Sequence, residues 1–171
     1  MTEASPQRAN LGYIGAIVAV ATIGGLLFGY DSGAVNGTQP GLIAAFGLDD
    51  AGLGFTVGSL LIGCFIGAFL AGRLADLMGR RNVMMLAAVL FLVGALIQGF
   101  ADSQVVFVIA RIMGGMAVGA ASVLSPAYIS EVAPAAIRGR LTTVQQIMII
   151  TGLTAAFLVN YFLAAGAGAS T

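Results

Sequence analysis

The sequence has 171 residues, of which 59% are apolar and only 8% are charged, and its formal net charge is zero. Because a soluble domain carries about 25% charged residues, this composition excludes a water-soluble globular surface and predicts a chain that lies mainly in lipid. Histidine is absent and no glycine loop precedes a lysine, so we expect neither an enzyme nor a bound metal or cofactor.

Five apolar runs are each long enough to cross a bilayer, which takes about 20 residues. The first of the polar breaks between them opens at Gln39-Pro40-Gly41. We expect an all-α membrane protein with a cytoplasmic tail at 1–10, a transmembrane region at 11–165 and a second tail at 166–171. The transmembrane helices are predicted at 11–36, 51–77, 83–100, 104–130 and 141–165.

Arginine placement predicts the orientation of these helices, because cytoplasmic loops accumulate positive charge. The chain has no lysine, and a cytoplasmic N-terminus leaves only Arg111 away from the cytoplasmic face. The arginines on or near that face are then Arg8, Arg73, Arg80, Arg81, Arg138 and Arg140. We therefore expect a multi-pass protein of the cell membrane. Five helices fall one short of two three-helix repeats, which predicts a truncated or fragmentary product.

Glycines spaced four apart mark one face of several helices. Helix one has Gly25, Gly29, Gly33 and Gly37, helix two has Gly54, Gly58, Gly63 and Gly67, and helix four has Gly115 and Gly119. Such faces let membrane helices approach closely, so we interpret them as packing surfaces. The amides within the apolar runs are predicted to bond between helices or to face a water-filled cavity: Gln98, Gln145, Gln146 and Asn160.

Two charged residues, Asp31 and Arg111, fall inside predicted helices, where an unpaired charge costs about 2.5 to 3.5 kcal/mol. Asp31 lies twenty positions after Leu11 and Arg111 lies twenty before Glu131. At about 1.5 Å per residue both stand about 30 Å from the cytoplasmic face and can meet at one level. Two interpretations remain open: an ion pair switched by protonation of Asp31, or a static pair or interfacial charge that reaches water.

The run from Gly72 to Arg81, GRLADLMGRR, resembles the signature loop between helices two and three of the major facilitator superfamily, although Leu77 replaces a residue that is often basic. Three further segments resemble the sugar porter branch. They are the run from Gly24 to Asp31, the set Arg111, Gly115, Gly119, Pro126, Tyr128, Glu131, Pro134, Arg138 and Gly139, and the stretch Gln145 to Gly152 with Asn160-Tyr161. The resemblance implies an incomplete N-terminal six-helix half of a major facilitator fold.

The resemblance also implies a role for individual residues. Asp31 is expected to accept the proton with Arg111 as its partner, and Phe28 and Gln146 match positions that line the sugar pocket. The cytoplasmic gate is expected to consist of Asp76, Arg80, Arg81, Glu131 and Arg138.

The predicted function is secondary active transport of a monosaccharide or polyol coupled to protons by alternating access, as part of a complete carrier. The expected partners are the sugar or polyol, protons, the lipid bilayer and the missing C-terminal half, and nucleic acid is not expected. These residues alone are expected to be inactive. The alternatives are a facilitative sugar uniporter and a membrane fragment with an interaction or regulatory role but no transport activity.

Overall fold

The structure, a computed structural model, describes residues 11–132 and 138–168, without the side-chain surroundings of 11–21, 132, 138, 141–142 and 167–168. In these ranges the chain forms helices and turns and no strand. The helices are α1 Leu11–Phe46, α2 Asp50–Met78, α3 Arg80–Gly99, α4 Gln104–Val132 and α5 Arg138–Gly168.

Helix α1 extends ten residues beyond its predicted end at position 36, because the break expected at Gln39-Pro40-Gly41 does not form. Proline lacks the backbone N–H that would bond the carbonyl four residues earlier, but membrane helices tolerate this where side chains make replacement contacts. In the turn before Pro40, Asn36 Nδ2 donates to the Ser32 carbonyl and Gln39 Nε2 donates to Asn36 Oδ1, both at 3.0 Å. The carbonyl that Pro40 leaves without its N–H is that of Asn36, which neither of these two bonds reaches. The helix ends before Gly47, whose φ of +63° suits glycine.

Single residues define the starts of α2 and α3. Asp49 is the N-cap of α2, and its Oδ1 accepts a hydrogen bond of 2.8 Å from the Gly52 backbone N–H. Gly79, with φ +81°, alone separates α2 from α3, so α3 begins at Arg80 and not at the predicted residue 83. Helix α5 likewise begins three residues before its predicted start and ends three after its predicted end. A single glycine is therefore the whole turn between α2 and α3.

The helices pack mainly as α2 with α4, α1 with α5 and α3 with α4. Between α2 and α4, a Cβ added at Gly63 or Gly67 would meet the α4 backbone, and one at Gly115 or Gly119 would meet the α2 backbone. The other two glycines of the predicted α2 face, Gly54 and Gly58, have open space instead, so only part of that face packs. Small residues on α2, α3 and α4 form a common core of Ala71, Ala75, Val83, Ala87, Ala117, Ala120 and Leu124.

The outward surfaces of the bundle are apolar. Phe65, Phe69 and Leu163 are each more than 60% exposed, which water would penalise and lipid accepts. By length and hydropathy, four helices of the described part qualify as membrane spans: α2, α3, α4 as far as Glu131, and residues 143–166 of α5. These features are those of a multi-pass membrane protein. We call the end of the bundle that carries Arg80, Arg81 and Arg140 the arginine end.

Candidate functional site

The innermost charged group of the bundle is the guanidinium of Arg111 on α4. Its side chain is 2% exposed, and its Nη1 lies 3.2 Å from Oδ2 of Asp31 on α1, whose side chain is 15% exposed. A buried charge is tolerated only with a partner, and here each charge provides it for the other. The contact agrees with the depth estimate, which placed both side chains at one level. Eighty positions of sequence separate the two residues.

Arg111 has a second partner on α2. Its Nη2 donates to the backbone carbonyl of Val57 at 3.1 Å, whereas its buried Nε has no hydrogen-bond partner among the described residues. The guanidinium is thus attached to α2 by a neutral acceptor and to α1 by a carboxylate. Loss of the negative charge on Asp31 would weaken only the second attachment.

The Asp31–Arg111 contact differs from a strong arginine–carboxylate pair in its length and in its number of bonds. A charge-assisted N–H···O bond is usually about 2.7 to 2.9 Å long, and a strong arginine–carboxylate pair uses two such bonds. This pair makes one contact of 3.2 Å. Arg111 is also too buried to reach water, which excludes the interpretation as an interfacial charge for this residue. What remains is a buried pair with a single, long contact.

The two residues predicted to line a sugar pocket lie on the neighbouring helices α1 and α5. Phe28 is half-buried and lies one turn before Asp31, and Gln146 is exposed on α5. The structure therefore places both residues on one packed helix pair.

The predicted gate residues gather only in part. Arg80 Nη2 lies 2.8 Å from Glu131 Oε1, with side chains 34% and 51% exposed, and this pair connects the start of α3 to the end of α4. Asp76 and Arg81 are exposed, and within the described part of the chain no ion pair joins either of them to another residue. The side chain of Arg138 lies outside the described residues. A hollow at the arginine end is lined by Gly79, Arg80, Arg81, Asn82, Tyr128 and Glu131, among others.

Two polar contacts between α4 and α2 were not predicted: the Arg111 bond to the Val57 carbonyl and a bond from Gln104 Nε2 to Thr56 Oγ1 at 3.0 Å. Within α2, Thr56 Oγ1 donates in turn to the Gly52 carbonyl at 2.7 Å. The Val57 carbonyl that accepts from Arg111 has no sequence signal, because every residue has a carbonyl. A threonine inside an apolar run was the available signal for Thr56. Asn160, by contrast, makes the kind of interhelical bond predicted for its amide.

Comparison with known sequences decides the family. Residues 17–171 match the family described as sugar (and other) transporter. The chain belongs to this sugar transporter family. The match includes α2 to α5 and most of α1, and therefore both members of the buried ion pair.

The relatives of this chain are considerably longer than the chain itself. The glucose transport protein of Synechocystis sp. is 43% identical over 166 residues, which cover 97% of this chain and 36% of the relative. The D-xylose-proton symporter of Escherichia coli K12 is 43% identical over 187 residues, which cover 94% of this chain and 38% of the relative. The chain thus spans little more than a third of the length of these relatives.

Solved structures show the same arrangement of helices. The proton:xylose symporter XylE, of the major facilitator superfamily, in complex with 6-bromo-6-deoxy-D-glucose matches with a TM-score of 0.82 and 41% identity, over 91% of this chain and 38% of that one. The inward-open form of XylE from E. coli matches with a TM-score of 0.78 and 42% identity, over 89% and 40%. The five described helices are therefore an incomplete N-terminal half of a major facilitator fold. The family consists of transporters, which points away from an enzyme.

Proposed function

We propose that this sugar transporter chain is the proton-binding part of a carrier that moves a monosaccharide or polyol together with protons by alternating access. The observation that carries the proposal is the Asp31–Arg111 pair, because it places one titratable carboxylate against one buried cation through a single contact of 3.2 Å. Relatives named as proton symporters of xylose and of arabinose support the assignment.

The proposed switch follows from the two attachments of Arg111. While Asp31 is ionised, α1 and α4 attract each other through opposite charges. Protonation removes the negative charge, and Arg111 stays bonded to the Val57 carbonyl at 3.1 Å. Two unit charges 4 Å apart attract by about 4 kcal/mol at an effective dielectric constant of about 20. Reversal of a 1:99 equilibrium takes about 5.5 kcal/mol, so the attraction that one proton removes is of the same order of magnitude as this free energy but smaller.

The remaining parts of the carrier are assigned by the same proposal. Phe28 offers an apolar surface and Gln146 offers an amide to sugar hydroxyls, which is the mixture that sugar sites use. The carrier lies in the cell membrane. Its arginine end and its N-terminus both face the cytoplasm. There the Arg80–Glu131 pair, with Asp76, Arg81 and Arg138, closes the inner side of the carrier. Because the chain covers 38% of the E. coli symporter, we expect transport to require the rest of a carrier.

A chimera tests this proposal. The segment of the E. coli D-xylose-proton symporter that matches this chain is replaced by the present sequence, and uptake of labelled xylose is measured together with external alkalinisation. We expect both signals from the chimera. Asp31→Asn should abolish sugar-driven alkalinisation while sugar exchange persists, because the neutral side chain cannot exchange a proton.

The matched control is Asp102→Asn, which neutralises an exposed acid outside the helices and should change neither signal. Alkalinisation that persists in the Asp31→Asn chimera would contradict the proton role. Uptake without alkalinisation in the unmodified chimera would favour the facilitative uniporter. No uptake by a stably inserted chimera would favour the role without transport activity.

A further inference from the structure

Helices α1 and α5, which carry the proposed proton acceptor and the proposed sugar amide, pack against each other without intervening side chains. A Cβ added at Gly29 would meet the backbone of Ile149, and one added at Gly152 would meet the backbone of Leu26. A Cβ added at Gly33 would lie 2.6 Å from that of Ala156. The two backbones are therefore in direct contact over several helical turns, which opposes sliding of one past the other.

A hydrogen bond joins the two helices of this pair next to Asp31. Asn160 Nδ2 on α5 donates to the carbonyl of Gly33 on α1 at 3.0 Å, two residues beyond Asp31. The side chain of Asn160 occupies the space that a Cβ at Gly37 would need. In lipid no water competes for this carbonyl, so the amide is its available external partner.

Contacts from this pair to the rest of the bundle are sparse in comparison. Helix α4 packs mainly with α2 and α3, and α1 reaches it through the Asp31–Arg111 pair and through Phe46, whose ring centroid lies 6.2 Å from that of Phe107. The described helices thus form two packed groups, α1 with α5 and α2 with α3 and α4. The buried ion pair joins the two groups.

We propose that Asn160 is a positioning residue that makes α1 and α5 move as one unit, so that a change at Asp31 is transmitted to Gln146. The inference rests on the proposed function for the roles of Asp31 and Gln146. The physical link between Asp31 and Gln146 is then the Asn160–Gly33 hydrogen bond together with the glycine contact surface of α1 and α5. This link requires no direct contact between the side chains of Asp31 and Gln146.

Protonation of Asp31 acts mainly on its attraction to α4, because the charged group that faces Asp31 belongs to that helix. From α4, Asp31 is faced by Arg111, and from α2 Cys64 lies near both charged groups. The charged residues of helix α5, Arg138 and Arg140, both lie at its start, and no charged residue follows them along the helix. Protonation therefore changes the attraction between the two groups and leaves the α1–α5 contact surface unchanged.

Spin-label distances in the full 171-residue chain test the inference without any transport. With Cys64→Ser as background, labels at Ile23 and Ile150 report the α1–α5 distance, and labels at Ile23 and Val123 report the α1–α4 distance. These side chains are 53%, 55% and 44% exposed, so labels fit. We expect Asp31→Asn to change the α1–α4 distance distribution and to leave the α1–α5 distribution as it was.

Asn160→Ala should broaden the α1–α5 distribution, whereas the adjacent control Tyr161→Ala, at a side chain 68% exposed, should not. An α1–α5 distribution unaffected by Asn160→Ala would overturn the inference. A change in the α1–α5 distance on Asp31→Asn alone would overturn it as well. An α1–α4 distance distribution that does not change on Asp31→Asn would instead contradict the proposed switch. Failure of this inference and failure of the proposed function are therefore distinguishable.

The same variant has a second readout in the xylose chimera. If Asn160 transmits the protonation state, Asn160→Ala should lower alkalinisation per sugar about fivefold or more, the lower end of usual coupling between sites, while sugar exchange falls less than twofold. Asn160→Ser, which keeps a donor, should restore part of the coupling. A parallel loss of both signals would show a purely structural role and would refute the transmission.

Discussion

Arg111 is bonded to the backbone carbonyl of Val57 at 3.1 Å, and this contact attaches the only buried guanidinium of the described residues to α2 whatever the charge of Asp31. Side-chain substitution on α2 cannot remove a carbonyl. The bond between Arg111 and α2 is thus independent of protonation, whereas the attraction between Arg111 and Asp31 depends on the charge of the carboxylate.

Removal of one member of the buried pair should be far more costly than removal of both. Arg111→Leu leaves Asp31 without a partner in a lipid-facing bundle, and we expect a loss of about 3 to 5 kcal/mol of unfolding free energy. The double variant Asp31→Asn/Arg111→Leu should recover most of it. Denaturant unfolding in detergent micelles measures both, with the exposed Arg140→Leu as control. A double variant no more stable than Arg111→Leu would contradict the ion-pair account.

Glycines at the α2–α4 contact should be irreplaceable, unlike glycines on the open face of the same helix. A Cβ at Gly63 would meet the backbone of Ile112, so Gly63→Ala must separate the helices and should lower the unfolding temperature strongly. Gly58→Ala has open space and should be neutral or stabilising by about 0.5 to 1 kcal/mol, since alanine favours helix. Thermal unfolding followed by circular dichroism compares the two. Equal effects would argue against this packing.

The Gln104–Thr56 bond should stabilise the α2–α4 pair at the end opposite to the arginine end. Thr56 is fully buried, and Thr56→Val removes the acceptor at nearly constant volume. Hydrogen bonds between membrane helices contribute about 0.6 to 2 kcal/mol, and we expect a loss in this range. Gln104→Ala in the Thr56→Val background should then cost little more. An additive loss in this double-mutant cycle would show that the two side chains do not interact.

The Arg80–Glu131 pair should contribute little to stability by itself. Both side chains are substantially exposed, and such pairs contribute about 0 to 1 kcal/mol and weaken in salt. A double-mutant cycle of Arg80→Gln and Glu131→Gln should give a coupling in that range at low salt and near zero at high salt. Arg81→Gln, without an ion-pair partner among the described residues, serves as control. A salt-independent coupling above this range would mean that the pair is more buried than the structure shows.

The sequence predicted the helices of this protein better than their ends. Hydropathy placed every helix of the described residues, yet α1 continues through Pro40 to Phe46. A single proline removes one backbone hydrogen bond, which weakens a helix in an apolar segment without necessarily ending it. Four-residue glycine spacing was informative on α1 and α4 but overestimated the packing face of α2, where Gly58 has no close neighbour.

The candidate site shows the same division. Depth along two helices predicted that Asp31 and Arg111 can meet at one level, because helical rise converts sequence distance into height. The single 3.2 Å contact, the Val57 carbonyl and the Asn160–Gly33 bond depend on how each helix is rotated about its axis. No periodicity specifies that rotation for helices that are apolar on nearly every side.

By itself, then, the sequence determined that the helices of this protein lie in lipid, how many helices its described part contains, and the level at which its two buried charges lie. These follow from properties that each residue carries alone, namely transfer free energy and rise per residue. Only the tertiary structure decided that α1 pairs with α5 and α2 with α4, and that Arg111 binds two helices at once. Those results depend on the packing free energy between pairs of helix surfaces, which is a property of the assembled bundle and not of any single residue.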